Sequence, residues 1–175
     1  MRRALTVASG GIAVTAILAL GIAVAGLAST SSFGGIAQTT SEQTTETTEK
    51  PTTTKYRAAL TVRAEVPKPA GVKAGARGAF TVPLTLSSGA YSIAWTLTFK
   101  NLTGRAQAAH IHKGKPGRAG PVLVTLCGPC RSGRKGNAKI SKSVASVIER
   151  GTAYVNVHTA KNPAGELRGQ VRKAR

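Results

Sequence analysis

From Tyr56 onward the chain alternates apolar and polar residues with a period of two, a pattern that suits a half-buried strand and not a helix. Ala58, Leu60, Val62, Ala64 and Val66 alternate with Ala59, Thr61, Arg63 and Glu65. Phe80, Val82, Leu84 and Leu86 alternate with Thr81, Pro83 and Thr85. Tyr91, Ile93, Trp95, Leu97 and Phe99 alternate with Ser92, Ala94, Thr96 and Thr98. Each run reads as a strand with one apolar face. Pro83 has no N–H for a ladder, which predicts an edge strand or a bulge there. Ser87-Ser88-Gly89 reads as a hairpin turn. Further strands are predicted over 106–112, 121–126, 152–158 and 167–172. A short helix is predicted over 143–150, with Val144, Val147 and Ile148 on one face and Gly151 ending it. About seven or eight short strands predict an all-β fold, an antiparallel β-sandwich or Greek-key barrel.

The first third of the chain differs. Arg2 and Arg3 precede an uncharged stretch over 4–28. A basic start followed by an apolar run has the form of an export signal, and Ala23-Val24-Ala25 offers a cleavage site. The stretch is also long enough to span a bilayer with the Arg pair inside. Residues 1–30 therefore read as a signal peptide or a transmembrane anchor. Residues 31–55 read as a disordered stalk, because the Thr- and Glu-rich run from Gln38 to Lys55 is too polar to form a core. The folded domain is expected over 56–175. The product is secreted or extracytoplasmic, tethered to the cytoplasmic membrane if the apolar segment is retained.

All three histidines fall in two motifs. Ala109-His110-Ile111-His112 precedes a turn with Gly114, Gly117 and Gly120. Tyr154-Val155-Asn156-Val157-His158-Thr159 precedes Asn162-Pro163-Ala164-Gly165-Glu166-Leu167-Arg168-Gly169-Gln170. Residues i and i+2 of a strand share a face, so His110 and His112 project side by side. With His158 from another strand they would make a three-nitrogen site for copper or zinc. Alternatively the three rings hydrogen-bond within the sheet, or to Asn156 and Glu166, and hold register. Glu166 and Arg168 are also i and i+2, which suggests a charge-assisted pair between them or with His158. Asn156, Glu166 and Arg168 thus form a candidate polar network.

These motifs resemble the CHRD domain, the module first described in chordin, over about 56–171. The resemblance implies an all-β extracellular module; it does not imply an enzyme, because no catalytic residue is established for the family. The short basic N-terminus and the Ala- and Gly-rich composition suit a bacterial envelope protein, so the growth-factor role of animal chordins is not implied. A His-x-His strand on a β-sandwich is also similar, at the level of fold, to copper/zinc superoxide dismutases. The chain has no fourth histidine and no aspartate, so dismutase chemistry is not expected.

Charge bears on partners. The chain carries 25 Lys and Arg against 6 acids, and residues 56–175 hold all but four of those bases. Their acids are Glu65, Glu149 and Glu166 alone. So basic a domain attracts anionic polymers or an acidic protein surface. Lys113, Lys115 and Arg118 lie in the glycine loop, and Arg131, Arg134 and Lys135 follow the cysteines. If the two clusters share one end of the domain, they form one anion-binding surface. Specific nucleic-acid recognition is not expected, because aromatic residues are few and no recognition motif is present. Cys127-Gly128-Pro129-Cys130 has the letters of a thiol redox site, but it follows a strand where such a site opens a helix. In an exported protein it reads as a structural disulfide closing a tight loop; a thiol–disulfide oxidoreductase is the alternative. The leading expectation is a non-enzymatic envelope binding module without a cofactor. A copper- or zinc-binding protein is the runner-up.

Overall fold

A computed structural model describes residues 49–175. The expected signal or anchor, and the stalk as far as residue 48, lie outside the described residues. The described chain folds as β1 (Thr52–Thr61), β2 (Arg77–Ser87), β3 (Ala90–Lys100), β4 (Ala106–Lys113), β5 (Val122–Cys127), β6 (Arg134–Ile140), α1 (Lys142–Glu149), β7 (Ala153–Thr159), β8 (Leu167–Gln170) and β9 (Arg172–Lys173). The strands form one antiparallel sheet in the order β5-β4-β7-β8-β1-β2-β3-β6, with β9 added beside β1. The sheet curls until its halves share one apolar core. Ile111, Val155 and Leu167 come from one half, and Phe80, Val82 and Leu97 from the other, all at 0% exposure. Each such side chain contributes roughly 1.5–3 kcal/mol by leaving water. The all-β, near-barrel expectation holds.

The alternation positions the core where expected. Tyr56, Ala58 and Leu60 on β1, Phe80, Val82 and Leu84 on β2, and Ile93, Trp95 and Leu97 on β3 all point inward. Helix α1 forms as expected. The Ser141 side chain accepts from the Val144 N–H at its start, and Gly151, at φ 65°, follows the C-cap Arg150. Ala145, Val147 and Ile148 are its buried residues.

Four expectations need correction. β1 begins at Thr52, so Thr52 to Lys55 pair with β2 and do not belong to the stalk. Threonine is a good strand former, and the low apolar content there reflects an exposed strand end. β1 also stops at Thr61; the chain then turns, the Glu65 N–H donating to the Val62 carbonyl, and Glu65 is buried where alternation placed it in solvent. β2 lies inside the sheet despite Pro83. Its bridges to β3 lapse at Val82 and Pro83 and resume in the same register, so there is neither an edge nor a bulge. Finally, β6 forms where no strand is predicted. It is an edge strand against β3 with no buried residue, and charged side chains are a usual way to protect an exposed edge.

The two halves of the sheet meet where β8 lies against β1, with Thr61 opposite Arg168. Gly169 makes this approach possible: a Cβ there would stand 2.4 Å from the Ala59 carbonyl oxygen. Gly169→Ala should therefore cost about 1–3 kcal/mol in urea unfolding. Gly104→Ala, where a Cβ meets nothing within 4 Å, should stay within about 0.5 kcal/mol of the parent.

Candidate metal centre

Strand pairing assembles the site. On β4 and β7, Ala108 lies opposite His158, His110 opposite Asn156 and His112 opposite Tyr154. Across β7 and β8, Asn156 faces Arg168 and Tyr154 faces Gln170. These residues share the face of the sheet that turns away from the apolar core. That face is covered nonetheless. Arg168 is 1% exposed, Asn156 3% and His112 8%.

The cover comes from loops that bring backbone carbonyls. Arg168 Nη2 donates to the carbonyls of Lys115 at 3.0 Å and Arg118 at 2.7 Å. Its guanidinium stands 3.5 Å above the Tyr154 ring, and the His112 ring stacks with the same tyrosine at 4.8 Å. Gln170 Nε2 donates to the Gly114 and Gly151 carbonyls. Gly120 is needed at the loop's return, since a Cβ there would overlap the Lys113 carbonyl oxygen at 1.8 Å. A second cover comes from the turn after β1: Asn156 Nδ2 donates to both oxygens of Glu65 at 3.0 Å.

The three histidines meet. His110 Nδ1 lies 3.1 Å from His158 Nε2, and one nitrogen from each of the three rings falls within 4.8 Å of the others. His112 Nδ1 donates to the Gly120 carbonyl at 3.0 Å, and His158 Nδ1 to the Pro163 carbonyl at 2.9 Å. A carbonyl can only accept, so both rings carry their proton on Nδ1 and present a bare Nε2. The His112 Nε2 is buried and has no hydrogen-bond partner among the described residues. Burial lowers the pKa of all three rings. For His110 the neighbouring His158 and His112 add to this. For His112 and His158 the carbonyl bonds pull the other way and are outweighed. At neutral pH the cluster therefore holds neutral imidazoles, the ligating form.

Other expected contacts are redistributed. Glu166 pairs with neither Arg168 nor a histidine. Its carboxylate accepts from the Thr103 N–H at 2.7 Å, the Thr103 hydroxyl at 2.5 Å, the Thr159 hydroxyl at 2.7 Å and Asn162 Nδ2 at 3.3 Å. These bonds tie the loop before β4 to the loop after β7. The acid that faces Asn156 is Glu65, which alternation had assigned to solvent. The histidines likewise bond to backbone carbonyls and to each other, and not to Asn156 or Glu166. Cys127 and Cys130 are bonded, as expected, with a Cα–Cα distance of 5.3 Å, and both are buried. The basic clusters do not share one end: Lys113 closes β4, whereas the Cys130 N–H donates to Ala106 at its start. An eight-residue strand separates them by about 24 Å.

The sequence model for the CHRD domain matches residues 56–171. Neither a curated protein nor a solved structure matches the chain.

The two buried acids respond to pH in opposite senses. Burial opposes ionisation of Glu166, but the Thr103, Thr159 and Asn162 hydrogen bonds outweigh it and hold the carboxyl below its usual range. Its contribution is then complete above the unfolded value of about 4.3 and falls away as pH drops through the folded value. For Glu65, burial outweighs the Val66 N–H, Arg168 and Asn156 and holds the carboxyl above its usual range. Its contribution is complete below about 4.3 and is lost as pH rises through the folded value. Unfolding curves from pH 3 to 8 should show Glu166→Gln flattening the acid limb, at a cost of about 1.5–3 kcal/mol at neutral pH. Glu65→Gln should flatten the decline on the side above about 4.3.

Proposed function

This chain belongs to the CHRD family, and from that premise we propose an extracytoplasmic, non-enzymatic binding module that holds a copper or zinc ion on His110, His112 and His158. The observation that carries this reading is the pair of backbone carbonyls, Gly120 and Pro163, that leave His112 and His158 with bare Nε2 atoms in a cluster where one nitrogen from each of three rings lies within 4.8 Å of the others. Metal-ligating histidines characteristically donate their other N–H to such a partner. A histidine serving only to hold register has no need of a buried nitrogen left without a donor, as at His112 Nε2. Ligation through His110 Nδ1 requires that ring to carry its proton on Nε2. The 3.1 Å between His110 Nδ1 and His158 Nε2 is close to the ~3.4 Å edge of a tetrahedron with ~2.1 Å metal–nitrogen bonds. His112 would close in by about 1.4 Å at most, given the 4.8 Å spread. His110 and His158 are half-buried, which leaves a route in from solvent. Three protein ligands leave a fourth position open to water or a ligand.

A second observation supports a polyanion as the partner of the module. Glu65 and Glu166, two of the three acids over 56–175, are fully buried, whereas every lysine and arginine of that span except Arg168 is exposed. This favours an anionic envelope polymer, met through basic loops. The N-terminal segment would deliver the domain outside the cytoplasmic membrane, cleaved or retained as an anchor. The disulfide suits that oxidising compartment. Its burial favours a structural role over thiol exchange, and insulin reduction should be absent.

Titration of the metal-free protein with Zn²⁺ and Cu²⁺ tests the metal reading. About one equivalent should bind, and at 100-fold excess over Kd the folded state should gain about 2.7 kcal/mol. His112→Ala and His158→Ala should each weaken binding by at least about 10-fold while keeping the far-UV spectrum of the parent. Binding unchanged in both variants, or no stoichiometric binding by the folded parent, would overturn the assignment.

A further inference from the structure

Beside the disulfide loop lies an open groove of about 1110 Å³. Five cationic side chains line it: Lys73 from the loop after β1, Lys100 at the end of β3, Arg105 before β4, and Arg131 and Arg134 after the cysteines. No acid lines it. None of the five charged ends has a hydrogen bond or ion pair among the described residues, unlike Arg168, Arg172 and Arg77 elsewhere.

The walls are held fast. The Cys130 N–H donates to the Ala106 carbonyl at 2.9 Å, and Gly133 N–H to Leu97 at 2.9 Å. The Phe99 N–H donates to the Ser132 hydroxyl at 2.8 Å, and Asn101 Nδ2 to the Ala74 carbonyl at 3.2 Å. The disulfide closes the 127–130 turn immediately before Arg131. Five like charges are thus presented on a fixed backbone, with nothing in the protein to offset them. A preorganised set of this kind loses little entropy when it meets several anions at once.

We propose that this groove docks a linear, phosphate-bearing polymer that has no rings to stack. The inference rests on the reading of the chain as a polyanion-binding module and gives that reading a place and a chemistry. Arginine forks and lysine point charges both match phosphate oxygens. The groove is far larger than one phosphate, which suits a repeating chain. Single-stranded nucleic acid takes much of its affinity from bases stacked on aromatic side chains, and Phe99, partly buried against the core, is the one aromatic residue in the lining. A membrane surface is disfavoured because Leu86 and Val122, the exposed large apolar residues of the described chain, lie outside the groove.

The test uses the full-length chain and long-chain inorganic polyphosphate as probe, with affinity measured across a salt series. Two triple variants remove equal charge: Arg105→Gln/Arg131→Gln/Arg134→Gln in the groove, and Lys113→Gln/Lys115→Gln/Arg118→Gln at the far end of β4. The groove triple should weaken binding by at least about 10-fold and reduce the slope of log K against log salt by about 2–3. The far triple should change affinity by less than about 3-fold. Melting temperatures show whether each variant is folded, and Lys73→Gln/Lys100→Gln provides a second groove variant should the first unfold. Equal losses in both triples would assign binding to net charge, which overturns the groove and spares the broader reading. No binding by the parent would overturn both. Tighter, groove-dependent binding of polygalacturonate, single-stranded DNA or anionic vesicles would overturn the ring-free phosphate chemistry.

Discussion

The buried guanidinium of Arg168 is the group around which the site is organised. A cation at 1% exposure needs acceptors; Arg168 Nη2 finds them in the Lys115 and Arg118 backbone carbonyls of the 113–121 loop, while Nη1 has none among the described residues. Those bonds hold the loop down on the sheet. The same loop ends at Gly120, whose carbonyl fixes the proton of His112. Tyr154 lies between the two, with the guanidinium over its ring and the imidazole stacked against it. The state of the candidate metal ligand therefore depends on an arginine two strands away. Removing one partner of such a buried set generally costs several kcal/mol, because the others are left unpaired.

Acid placement has a consequence for the whole surface. Glu65 covers Asn156, and Glu166 ties Thr103 to Thr159 and Asn162. Both carboxylates are used internally, so the outer surface of a strongly basic domain loses two of its three counter-charges. Interior satisfaction and exterior field are linked in this way. The acids that complete the polar face leave the groove by the disulfide without compensation, and the groove's own walls are held by neutral backbone bonds.

Much of the architecture was legible. Alternation located the three long strands and most of their inward residues, and the spacing of Val144, Val147 and Ile148 before Gly151 located the helix to within a residue. His-x-His placed two imidazoles on one face, and the cysteine spacing implied the bridge. The signals that failed did so for separate reasons. Arg134 to Ile140 gave no strand signal because an edge strand needs no apolar face, only a partner for its backbone. Pro83 looked incompatible with a central strand, yet the ladder lapses there and keeps its register. Glu65 looked solvated because nothing local announces that a loop will fold over Asn156.

The amino-acid order by itself determined which residues could share a face, since the period of a strand is a local property of the backbone. It thereby set His110 beside His112, and the apolar side of each strand toward a core. Tertiary structure alone decided that β4 pairs with β7 in the register that brings His158 to His110. It also decided that the polar face would be covered, that Glu65 and not Glu166 would meet Asn156, and that the two basic clusters would lie at opposite ends of β4. Pairing and covering are contacts between distant segments, chosen by the total satisfaction of buried polar groups and packed apolar surface, and no short stretch of sequence carries that sum.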